Sequence, residues 1–126
     1  MSGDLRYPEM RLEIIGCLED LADLELQRRS WLGGETIQGR WWNAASPINE
    51  LDSAFEDSEN PSESIGYTLR NEFEAALVKE VLTAIGVALS QVRDVKKASD
   101  RELLATPAWP GVVEAAKRAV KGMSPE

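Results

Sequence analysis

Three carboxylates, Asp52, Glu56 and Glu59, follow i, i+4, i+7 spacing. On a helix that spacing lines them up on one face, where they could hold a divalent cation. Glu19, Asp20 and Asp23 make a second acidic group within about one turn. Metal sites in helical bundles usually combine Glu with His from facing helices, and this chain has no histidine. The same absence removes the commonest general base. Cys17 sits among Ile14, Leu18 and Leu21, whereas a nucleophilic thiol needs an electropositive, accessible setting; a packed core thiol is expected. No serine or threonine lies in a nucleophile-elbow context, and no glycine loop has the form of a P-loop. The acidic groups therefore read as solvated faces. No catalytic residue, metal site or cofactor is assigned, and the chain is not expected to be an enzyme.

What remains is the stretch GRWWNAASP, which puts Trp41 and Trp42 side by side in a segment without apolar rhythm. Adjacent residues in an irregular segment rarely both point inward. One tryptophan is expected to anchor the loop and the other to meet a partner, next to Arg40 and ahead of the acidic helix. Trp and Arg are the residues most enriched at binding hot spots, and loops on a rigid scaffold often carry function. Trp31 and Trp109, each among apolar residues, are expected to fold back as lids over the ends of the bundle.

The elements that must position these residues are helices. Pro8 suits a first helical turn, and Leu12, Ile15, Leu18, Leu21 and Ala22, with Ile14 beside them, recur at three- and four-residue steps. That pattern predicts an amphipathic helix to about Arg28 or Arg29, in whose last turn the two arginines complement the dipole. Gly33–Gly34 ends it, and residues 33–46 read as a loop. Ser46–Pro47 reads as a cap followed by a first-turn proline, opening a helix of about ten residues with Ile48, Leu51 and Phe55 as its stripe. Asn71 and Glu74 resemble a capping box before a long helix with a broad apolar face, on which Phe73 begins one of two stripes. Gly86 is expected to permit close approach of another helix. Ser99 and Glu102 form a clearer box before a short helix. A last helix carries Val112, Val113, Ala116 and Val120, and Trp109 precedes it. The expectation is an all-α, single-domain bundle (residues 1–126) of four to five helices, with a Gly/Trp-containing loop after the first.

Composition narrows the class. With 126 residues, 43% hydrophobic and 29% charged, the chain matches ordinary globular usage. One cysteine excludes an internal disulfide and suits a reducing cytoplasm. No signal-peptide pattern opens the chain, and no apolar run approaches the ~20 residues that span a bilayer. The net charge of −8 is uneven: residues 1–92 carry 17 carboxylates against 7 Lys and Arg, and residues 93–126 carry 5 against 7. No basic residue lies between Arg40 and Arg70, where Glu50, Asp52, Glu56, Asp57, Glu59 and Glu63 fall. Such a field repels nucleic acid and anionic lipid and attracts a basic protein.

The stretches RYPEMRLEIIGCLEDLADLELQRRSWL, IGYTL and DRELLATPAWPGVVEAAKRAV resemble a group of short bacterial proteins of unknown function. In size, acidity and helicity the chain is similar in type to the immunity proteins that neutralise bacterial toxins. Together these features point to a cytoplasmic protein-binding module. The expected role is immunity or inhibition, with Arg40, Trp41, Trp42, Asp52, Glu56, Asp57 and Glu59 docking on a basic toxin such as a nuclease. The alternative is a helical adaptor or homodimer whose loop tryptophans bury against the twin subunit. An enzyme holding a metal on Asp52, Glu56 and Glu59 comes third.

Overall fold

The computed structural model describes residues 5–37, 43–55, 60–92, 94 and 99–123. Its helices are α1 (Pro8–Ala22), α2 (Leu24–Leu26, continuing as a π-helix over Gln27–Leu32), α3 (Ala45–Ala54), α4 (Glu72–Ser90), α5 (Asp100–Leu104) and α6 (Trp109–Met123). A 3₁₀ turn, Pro61–Ser64, precedes α4. Among the described residues there is no strand, only an isolated bridge between Ile65 and Leu69. The all-α expectation holds. Among the described residues the helices number six, one more than the largest expected count, because the first predicted helix divides at Asp23.

That division has a local cause. Asp23 leaves helical geometry (φ −107°, ψ 89°), and its carboxylate accepts the Leu26 N–H at 3.0 Å. A short acidic side chain that captures a nearby backbone donor offers the chain an alternative to continuing the helix. Arg29 therefore does not end the first helix; it pairs on the surface with Glu35 and Glu25. The buried face of α1 is also rotated from the expected one. Arg11, Ile14, Cys17, Leu18, Asp20 and Leu21 face inward, while Leu12 is 70% exposed and Ile15 is only half-buried. Arg11 faces Glu74 across the core, and the 11, 14, 18, 21 stripe turns with it.

The core lies where α6 packs between α1 and α4, with α3 covering α1. Val78, Val81, Ile85 and Ala88 of α4 meet Val112, Val113, Ala116 and Ala119 of α6. Phe73, expected in the buried stripe, is 63% exposed. Close approach occurs at Gly122 and not at Gly86. A Cβ at Gly122 would stand 2.3 Å from Leu77 Cδ1, whereas nothing lies within 4 Å of one at Gly86.

Buried polar groups tie the bundle together. The side-chain amide of Gln27 donates to the carbonyls of Asp20 (3.0 Å) and Leu21 (2.9 Å) at the end of α1, the first of which also accepts the Asp23 N–H at 3.3 Å. Its oxygen accepts the Trp109 indole N–H at 2.9 Å. Trp31 and Trp109 meet edge to face at 6.4 Å, a favoured aromatic geometry. Both are buried, as expected of lids, although Trp109 forms the first turn of α6 and does not precede it. Cys17 is a core thiol. The expected caps form in part. Asn71 Oδ1 accepts from Glu74 N (2.9 Å) and Ser99 Oγ from Glu102 N (3.1 Å). At α3, Asn43 receives the Ser46 N–H at 2.8 Å, so the cap lies ahead of Ser46.

Candidate protein-binding groove

Of the residues expected to dock a partner, Arg40, Trp41, Trp42, Glu56, Asp57 and Glu59 lie outside the described residues. Asp52 is on the exposed face of α3. The cation site expected of Asp52, Glu56 and Glu59 therefore also falls outside. Among the described residues, no three metal-ligating side chains come together.

The described residues hold a different feature. Between the start of α1, the end of α3 and the loop after the 3₁₀ turn runs a groove of ≈570 Å³. A smaller hollow of ≈140 Å³ adjoins it between α1 and α3, sharing Met10, Ser53 and Ala54. Tyr7 and Tyr67 line the groove with their rings stacked, 5.9 Å between centroids and 23° between planes. They are 49% and 42% exposed, and Met10 beside them is 40% exposed. Glu63 lines the groove, and Glu13 and Glu50 line the hollow; among the described residues neither wall carries a lysine or arginine.

The backbone builds this platform from two distant segments. Arg6 N–H donates to Gly66 O (3.1 Å) and Tyr7 N–H to Tyr67 O (2.9 Å). The partner loop closes on one acceptor, because the N–H groups of Tyr67, Thr68 and Leu69 all point at Ser64 O, at 3.0, 3.1 and 3.2 Å. Closing so tightly needs Gly66 at φ +93°, a conformation that L side chains rarely adopt. Thr68 is 2% exposed and lines the groove, and its hydroxyl makes no hydrogen bond among the described residues.

Behind the loop lies the buried ion pair. Arg11 donates to both oxygens of Glu74, at 2.7 and 2.9 Å, and to the carbonyls of Thr68 (2.9 Å) and Met123 (2.8 Å). Arg70 adds its backbone N–H (2.8 Å) and Nε (2.9 Å) to the same carboxylate. Glu74 thus reaches Arg70 N, and not Asn71 N as a capping box requires. Burial raises the Glu74 pKa, but the bonds from Arg11 and Arg70 outweigh it and hold the carboxyl below its ordinary range. One guanidinium therefore fixes α1, α4, the end of α6 and the loop that carries Tyr67.

A family model, described as a domain of unknown function, matches residues 5–125. The chain belongs to the DUF7945 family. No curated protein and no solved structure matches it. The DUF7945 match takes in both sides of the groove, Tyr7 and Tyr67, and the Arg11–Glu74 pair behind them. Sequence reasoning missed these tyrosines, which are the chain's only two. Their neighbours Pro8 and Gly66 were the available signal, since each fixes a change of chain direction.

Proposed function

We propose that this DUF7945 chain is a protein-binding module that captures a basic partner in the groove between Tyr7, Met10 and Tyr67. The observation that carries the reading is the pairing of two half-exposed stacked tyrosines with three carboxylates and, among the described residues, no cation in the walls. Aromatic residues and Met are enriched at interfaces, and complementary charge speeds encounter and suppresses wrong partners. The overall charge of −8 extends the same field over the surface. Inhibition or immunity, by capture of a basic toxin, is the role proposed for such a module. The Trp41–Trp42 loop, which lies outside the described residues, stands as the other docking surface proposed.

Three baits test this in a lysate of the source cell: the wild type, Tyr7→Ser/Tyr67→Ser, and Trp41→Ala/Trp42→Ala. The expected result is a basic protein held by the wild type and the tryptophan variant and lost from the tyrosine variant. Retention by the tyrosine variant and loss from the tryptophan variant would move docking to the loop. Recovery of the chain alone would favour the homodimer.

A further inference from the structure

Resting on that reading, we infer that the groove recognises an arginine side chain of the partner, with its guanidinium stacked on the Tyr7–Tyr67 pair and paired with the Glu63 carboxylate. The two rings are stacked with their centroids 5.9 Å apart, and their residues stay 49% and 42% exposed, so aromatic surface is left open to solvent. An exposed tyrosine face attracts a cation through the ring quadrupole, and arginine fills this role more often than lysine. Guanidinium is flat, weakly hydrated and carries a fork of donors. It can therefore lie on a ring and still present N–H groups sideways to a carboxylate. Ammonium is a compact, strongly hydrated charge that gives up more water for the same contact.

The groove supplies the remaining parts. Glu63 lines it beside the tyrosines, and the next hollow holds Glu13 and Glu50, so a segment with further basic residues meets carboxylates along its length. Among the described residues no lysine or arginine lines either wall; of the arginines nearby, Arg11 and Arg70 are bound to Glu74, and Arg6 meets the loop through its backbone N–H. The platform is also built before any ligand arrives. Tyr7 and Tyr67 are joined through the backbone at 2.9 Å, and Arg11 holds the adjoining carbonyl of Thr68. Less ordering is therefore left to oppose binding.

The test uses the full chain labelled with ¹⁵N and three capped pentapeptides, Ac-Gly-Ala-Xaa-Ala-Gly-NH₂, in which Xaa is arginine, lysine or citrulline. The arginine peptide is expected to shift the amide signals of Tyr7, Ser64 and Tyr67. The lysine peptide should bind severalfold more weakly, because its ammonium gives up more water for the same contact and lacks the donor fork. Citrulline keeps the planar shape without the charge and should give no shifts. Tyr67→Ser and Glu63→Gln should each weaken the arginine peptide severalfold, with the remaining spectrum unchanged as the check on folding. Equal binding of arginine and lysine overturns the arginine inference and leaves the basic-partner reading standing. Equal binding of citrulline overturns the charge argument behind both. If no peptide shifts the groove while a basic protein is still lost from the Tyr7→Ser/Tyr67→Ser bait, the arginine inference fails alone.

Discussion

Replacing Arg11 with methionine tests the frame that holds the groove. The guanidinium makes four hydrogen bonds, two to the Glu74 carboxylate and one each to Thr68 O and Met123 O. The Glu74 side chain is 2% exposed, so the variant strands a buried charge, a change that costs about 3–5 kcal/mol. Arg70 stays in place at 2.9 Å from Glu74, with a side chain 37% exposed, so the lower end applies. At roughly 4 °C per kcal/mol for a chain of this size, about 3 kcal/mol lowers Tm by about 12 °C. Urea and thermal unfolding followed by circular dichroism measure both quantities. Arg11→Met/Glu74→Met, which removes the stranded charge with its partner, should recover most of the loss. Arg11→Lys keeps a charge without the fork and should fall between wild type and Arg11→Met. A loss under about 1 kcal/mol for Arg11→Met, the range of exposed pairs, refutes the reasoning. So does a double variant no more stable than Arg11→Met.

Further outcomes follow from the same geometry. Because the folded-state pKa of Glu74 lies below its ordinary value of 4.5, the ion pair stabilises the fold above that value. Its contribution is lost as pH falls through the folded pKa. Urea titrations should accordingly show the stability gap between wild type and Glu74→Gln closing as pH drops below about 4.5, and a gap that widens there contradicts the assignment. Gly86→Ala, with open space around it, should stabilise by up to about 1 kcal/mol, while Gly122→Ala should stabilise less or not at all, because its Cβ must displace the Leu77 side chain. Thermal melts that reverse that order would contradict the packing of α4 on α6. Gln27→Met leaves the Trp109 indole N–H without its partner and takes one donor from the Asp20 and Leu21 carbonyls, and should cost about 1–3 kcal/mol in urea unfolding. A neutral result there would mean that those groups find other partners.

Much of the fold is legible in residue order because its signals are local. Asn71 caps α4 and Ser99 caps α5 through a bond to the residue three along, and Pro8 opens α1. The misplaced features depend on contacts far away in the chain. Apolar periodicity puts Leu12 inside and Arg11 outside, and only Glu74, 63 residues on, reverses them. Glu74 fits a capping box by spacing, yet two arginines claim its oxygens. Asp23 looks like one more acid on a polar face until its carboxylate is seen bound to Leu26 N. The groove was hidden for the same reason. Tyr7 and Tyr67 share no local pattern, and they meet because backbone bonds join their segments. The acidity of the region that includes Glu50 and Glu63 was plain from composition, but its placement beside two tyrosines was not.

The most direct test of the central claim is amide hydrogen exchange of the chain alone and in complex with the protein that it captures. Docking in the groove predicts new protection over residues 6–10 and 63–68, weaker at high salt, with the α4–α6 face unchanged. Protection confined to α4 and α6, or to residues 40–42, would contradict it.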